Sequence, residues 1–203
     1  ETIVFIELEA AASAYYTLDS PPEFAGDFKI SVNVVGSDLT SDQAIIDSGV
    51  FDATEGEILL FIDSPNGLDL LIGRGSGGFN REIFGGQAAI LNGDFNKVVL
   101  QRDSGVITAK LNGTQLGGSL ANTQTVKFSQ GFIGGGVSRY FNGILSNLSL
   151  ENTTTPANSL AFTLGELTAN SEVNNGVTLT YNNIATTQDV RDTYTLTDGA
   201  WLG

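Results

Sequence analysis

Short runs in which apolar and polar residues alternate, broken by Gly, Asn, Asp and Ser, dominate this chain. Phe28-Lys29-Ile30-Ser31-Val32-Asn33-Val34 alternates with period two, as do Ile107-Thr108-Ala109-Lys110-Leu111 and Thr178-Leu179-Thr180-Tyr181. That period places successive side chains on opposite faces of an extended strand. Other runs are continuously apolar: Ile58-Leu59-Leu60-Phe61-Ile62, Leu68-Asp69-Leu70-Leu71-Ile72 and Val98-Val99-Leu100. They suit strands buried on both faces, or strands in the inner sheet of a sandwich. Helical periodicity is nearly absent, with residues 187–191 the one place where a short helix is considered. Many short strands separated by turn residues predict an all-β sandwich or barrel.

The turn residues support hairpins. Asn66-Gly67 separates two apolar runs, the strongest short-range hairpin signal. Asp103-Ser104-Gly105, Asn112-Gly113 and Asn175-Gly176 each stand at the edge of an alternating run. No repeat of fixed period is present. Residues 1–203 read as one domain, long enough to bury its own core. The most linker-like stretch is 151–158, ENTTTPAN, read either as a surface loop within one sandwich or as a boundary before a small C-terminal piece.

Composition narrows the chemistry. The chain has no Cys, His or Met, so disulfides, Cys/His zinc sites and every mechanism built on imidazole or thiolate are excluded. Carboxylates, Tyr, Lys and hydroxyls are what remain. The formal charge is −14. It is uneven: −13 over residues 1–73, +4 over 74–150 and −5 over 151–203. Such a chain is repelled by phosphate backbones and anionic membranes, so nucleic acid is not an expected partner. No apolar run approaches the length of a membrane-spanning helix, and no membrane insertion is expected. The start at Glu1, without Met or a basic leader, suggests a processed product or a piece of something longer.

Four segments in order carry a resemblance. Residues 94–116, DFNKVVLQRDSGVITAKLNGTQL, resemble the central hairpin of laminin-G-like domains of the concanavalin A-like class. Asp94, Val98, Val99, Arg102, Leu111, Asn112 and Gly113 hold the matching places, and Phe95 stands where that family has Trp. Upstream, Tyr15-Tyr16-Thr17-Leu18 through residues 26–32 resemble its opening strands, and Ile45-Ile46-Asp47-Ser48-Gly49 a following segment. Downstream, Phe132-Ile133-Gly134-Gly135 and residues 140–150 resemble its closing strands. The resemblance covers about residues 15–150. It implies an antiparallel two-sheet jelly-roll sandwich, with Gly143 letting its strand pass close to a neighbour and Tyr140 or Phe141 capping the core. Residues 183–185, 191–196 and 198–203 are similar, with lower specificity, to tails of phage and prophage virion proteins.

Gly73-Arg74-Gly75-Ser76-Gly77-Gly78 satisfies G-x-G-x-x-G as a string, but no helix pattern follows it, so dinucleotide binding is set aside. The stretch reads as a loop between strands, and as a binding loop its donors are Arg74, Asn80 and Arg81. Hydrolases of this class need carboxylates on one strand face. Glu55-Gly56-Glu57 and Glu7-Leu8-Glu9 have the spacing but lack a third acid, so no catalytic residue is assigned. The acidic loops, with Glu55 and Glu57 foremost, suit Ca2+, which many laminin-G-like domains hold; the plainer reading is solvated acids. Tyr15, Tyr16, Phe79, Tyr140 and Trp201 are candidate sugar platforms, each also readable as packing.

The sequence thus predicts a non-enzymatic module with a ligand site among Arg74, Asn80, Arg81 and Tyr140. The first reading is a phage virion surface component, as decoration, fibre or receptor-binding domain. The alternative is a carbohydrate-binding, calcium-assisted module of a bacterial surface adhesin. Expected partners are other virion proteins or a cell-surface glycan, in a homo-oligomer at the virion surface or outside cells.

Overall fold

The structure is a computed structural model. It describes residues 2–4, 7–8, 10, 13–36, 41–49, 54–90, 92–136, 138–164, 171–183 and 193–195. The strands run in chain order β1 (Thr2–Val4), β2 (Glu7–Leu8), β3 (Tyr15–Leu18), β4 (Glu23–Phe24), β5 (Phe28–Gly36), β6 (Gln43–Asp47) and β7 (Ile58–Asp63). Then come β8 (Gly67–Gly73), β9 (Phe79–Gly85), β10 (Asn96–Asp103), β11 (Val106–Leu111), β12 (Thr114–Gln115), β13 (Leu120–Ala121) and β14 (Val126–Lys127). The last are β15 (Phe132–Ile133), β16 (Gly143–Asn152), β17 (Leu160–Phe162), β18 (Ser171–Asn174), β19 (Val177–Asn182) and β20 (Thr193–Thr195). Among the described residues helix is scarce, with one turn at Gln87–Ile90 and a 3-10 turn at Pro156–Asn158. Among the described residues no helix is long and apolar enough to cross a membrane. Residues 187–191, the one place where the sequence admits a short helix, lie outside the described residues.

Two antiparallel sheets form a sandwich. One runs β12-β11-β10-β5-β16-β17, with β13 added to β11 and β2 to β16. The other runs β18-β19-β3-β15-β6-β7-β8-β9. The two-stranded pairs β1–β20 and β4–β14 stand apart from both. The alternating runs supply the core as their pattern requires. Phe28, Ile30, Val32 and Val34 of β5 meet Ile58, Leu60 and Ile62 of β7 and Leu68, Leu70 and Ile72 of β8 within one buried cluster. Burying each such side chain contributes about 1.5–3 kcal/mol.

The expected hairpins are present. The β10–β11, β11–β12 and β18–β19 connections each have two residues, Ser104-Gly105, Asn112-Gly113 and Asn175-Gly176, all with positive φ. That is the I′ geometry whose twist matches the flanking strands. Gly143 adopts φ +139° where β16 pairs with Gly36 of β5, and a Cβ there would lie 2.1 Å from the Val35 carbonyl oxygen. Phe141, not Tyr140, enters the core beside it. Residues 151–158 begin inside β16 and turn into β17, its neighbour in the same sheet. Asn152 Oδ1 shapes that turn by accepting the Thr154 and Thr155 N–H groups at 3.1 and 2.7 Å.

Candidate functional site

The continuously apolar runs of β7 and β8 predict burial on both faces, and both strands are buried throughout except Asp63. Beyond the core, on the outer face, Leu59, Phe61 and Leu71 form a second cluster with Ala44. Register continues this face onto the edge strand β9: Leu71 pairs with Arg81, Asp69 with Ile83 and Gly73 with Phe79. Together with the loop carrying Arg139 these strands enclose a groove of about 390 Å³. Phe61 and Leu71 line its apolar part, and Phe79, 41 % exposed, stands beside it.

The polar side of the groove is a fixed network. Arg81 Nε donates to Asp69 Oδ2 at 2.8 Å, and its Nη2 donates to the same oxygen and, at 2.9 Å, to Asp63 Oδ2. Asn66 Nδ2 adds a 2.7 Å bond to Asp63 Oδ2. Asp69 is wholly buried, and its Oδ1 has no hydrogen-bond partner among the described residues. Burial therefore pushes the Asp69 carboxyl above the usual carboxylate range, against the opposing pull of Arg81. The Asp69 hydrogen bond in turn raises Arg81. Across the groove the Arg139 guanidinium lies 5.6 Å from the Phe61 ring centroid and 3.8 Å from Asp42 Oδ2. An aromatic ring beside rigidly held donors and acceptors is the chemistry of a small polar ligand with an apolar face.

No family model matches the sequence, and no curated protein does. Solved structures do resemble the fold. A "putative carbohydrate binding protein" from Bacteroides ovatus superposes with TM-score 0.61 at 14 % identity, over 94 % of this chain and 61 % of that one. Domains LG4-5 of the mouse laminin α1 chain superpose with TM-score 0.55 at 12 % identity, over 87 % of this chain and 45 % of that one. The fold is a laminin-G-like jelly roll. The chain spans less than two thirds of the length of either protein, and at these identities the likeness concerns the fold alone.

Within this jelly roll the predicted ligand residues separate. Arg81 is in the groove. Asn80, one position earlier on β9, pairs with Ile72 and so projects from the opposite face. Arg74 is exposed in the β8–β9 turn, where its N–H donates to the Gly78 carbonyl at 2.8 Å and its guanidinium folds over Gly78. The G-x-G-x-x-G string is thus an antiparallel connection, without the strand-to-helix geometry of a dinucleotide site. Tyr140 is half-buried 6.1 Å from Tyr15, which in turn meets Phe132 edge-on at 5.4 Å. Of the proposed platforms, Tyr16 is core, Phe79 borders the groove and Trp201 lies outside the described residues.

Sequence reasoning missed Asp63, Asp69, Phe61 and Arg139. One signal was available for Asp69, the single charged residue inside an apolar run, which marks an outward position. The acids singled out for Ca2+ have protein partners. Glu57, wholly buried, accepts the Ser129 hydroxyl and N–H, and Glu55 accepts Gln124 Nε2 at 2.8 Å. Among the described residues no three acidic side chains are grouped to hold a metal ion. Glu9 lies outside them.

Proposed function

We propose that this chain is a non-enzymatic carbohydrate-binding module, acting outside cells on a glycan, and that the groove beside Phe79 and Arg81 is its site. The observation that carries the reading is an exposed aromatic ring beside a hydrogen-bonded Arg–Asp network on one sheet face. A pyranose presents C–H groups to a ring and hydroxyls to paired donors and acceptors, which is what this groove offers. Both carboxylates at Arg81 are engaged by it, an arrangement for holding a ligand rather than cycling a proton. The Bacteroides ovatus neighbour, which shares the fold, is described as a "putative carbohydrate binding protein". The virion reading rests on C-terminal segments that, apart from residues 183 and 193–195, lie outside the described residues. The glycan reading is therefore preferred.

A glycan array followed by calorimetric titration of the hits tests this. Phe79→Ala and Arg81→Gln are each expected to weaken binding by about tenfold or more. Lys110→Gln, on the other sheet, is expected to leave it unchanged. Titrations with calcium and with EDTA separate an ion-dependent site from one built on the groove's own charges. Hits whose affinity ignores Phe79→Ala and Arg81→Gln would place glycan binding elsewhere.

A further inference from the structure

Each guanidinium of the groove is paired with a carboxyl group before any ligand arrives. Two guanidiniums, Arg81 and Arg139, face three carboxyl groups, those of Asp42, Asp63 and Asp69. Asp69 has no exposed side-chain surface and holds Arg81 through both Nε and Nη2, so it is not displaced by a ligand at the surface. Asp63, with 13 % of its side chain exposed, is fixed from two sides by Arg81 and Asn66. Among the described residues that line the groove no surplus of positive charge is left for an anion, and the chain as a whole carries a formal −14.

We infer that the groove selects neutral sugars and rejects anionic ones; this rests on the carbohydrate reading above. A sugar carboxylate or sulfate entering beside Arg81 must sit against Asp63 and Asp42, or compete with them for the same donors. Either way it loses solvation without gaining an unmatched cation. A hydroxyl is different, because it donates and accepts at once. It can receive from the Arg81 guanidinium, 42 % exposed, while donating to the Asp63 carboxylate, and the ion pair stays intact. Neighbouring hydroxyls on a neutral pyranose fit such an adjacent donor and acceptor, with the C–H face of the ring against Phe79.

The test is calorimetric titration of the whole chain with two sets of probes at about 20 and about 200 mM salt, where screening differs strongly. The neutral set is lactose, maltohexaose, cellohexaose and xylohexaose. The anionic set is 3′-sialyllactose, hexagalacturonate and a heparin hexasaccharide. The expected result is binding by a neutral probe that changes less than about twofold with salt, and binding by every anionic probe at least about tenfold weaker. Asp42→Asn with Asp63→Asn is expected to narrow that gap by strengthening the anionic probes. If Asp63→Asn lowers the melting temperature, Asp42→Asn alone carries this arm. An anionic probe that binds the wild type as tightly as any neutral one, and is lost in Phe79→Ala and Arg81→Gln, overturns the charge rule and leaves the groove standing. Binding that ignores those two variants, or no binding by any probe, overturns the groove reading and this inference together.

Discussion

Arg102 shows how much of this fold hangs on single polar side chains. It is 2 % exposed, lies 4.9 Å from the Phe28 ring centroid and donates to Asn122 Oδ1 and to the carbonyls of Phe24, Gly26 and Gln124. Burial lowers its pKa, with nearby Asp27 opposing. Four acceptors from two segments, 24–26 and 122–124, converge on one planar fork, which an ammonium cannot reproduce. Arg102→Met should destabilise by about 3 kcal/mol or more, and Arg102→Lys by a comparable amount, read from urea unfolding midpoints. Near-wild-type stability of Arg102→Lys would show that charge, not the fork, is what matters. Tyr16 is the opposite case. Its hydroxyl is buried without a partner among the described residues, 4.5 Å separates its ring centroid from that of Tyr181, and burial pushes its ionisation far up. Tyr16→Phe should therefore leave the melting temperature unchanged or raise it, since it removes an unpaired buried polar group. A loss above about 1 kcal/mol would reveal a partner for that hydroxyl.

At the scale of elements, turns and close approaches set the register. The β11–β12 turn residue Asn112 has φ +50°, which glycine also adopts, yet its side chain does more than turn the chain. Its Oδ1 accepts the Lys97 N–H at 2.8 Å and its Nδ2 donates to Asn96 Oδ1 at 2.8 Å. Asn112→Gly keeps the backbone geometry and loses those bonds, so it should cost about 1 kcal/mol by thermal melting. Gly143→Ala should cost more, about 3 kcal/mol, because its Cβ meets the Val35 carbonyl in the central β5–β16 pair. A melt within about 0.5 kcal/mol of wild type would mean that the two strands separate without penalty there.

For the whole molecule the governing quantity is charge. At −14 the folded chain repels itself, and acidification relieves that repulsion. Asp69 acts in the same direction. Its pKa is raised in the fold, so the folded state holds a proton at a pH where the unfolded state has lost it, and stability rises as pH falls through that window. Asp19 acts oppositely. Hydrogen bonding from Thr178 lowers its pKa, so its contribution is present above the ordinary carboxylate range and lost as pH falls through its folded value. The melting temperature should therefore rise from pH 7 towards about 5 and fall again below about 4. A steady decline from pH 7 downwards would contradict the assignment of Asp69 as the buried, raised group.

What was legible in the chain is what depends on near neighbours in sequence. Period-two runs announced the strands of the core, Asn-Gly and Ser-Gly pairs announced the I′ turns, and the Gly143 close approach followed from the resemblance in residues 140–150. Local patterning determines these because a strand's two faces and a turn's positive φ are properties of a few adjacent residues. The groove is only half visible in the sequence: Arg81 and Phe79 stand out there, but so do Arg74, Asn80 and Tyr140, which lie elsewhere. One residue of offset sends Asn80 to the other face, and Tyr140 packs on Tyr15 rather than following Arg139 into the site. Asp63, Asp69 and Arg139 join Arg81 through pairing between strands and through a loop far along the chain, and no spacing in the sequence encodes such a meeting. Residue types, strand faces and turns were thus determined by the sequence alone. Which charges meet on one face, and pair there, was decided only by strand register and by the loop that brings Arg139 back to it.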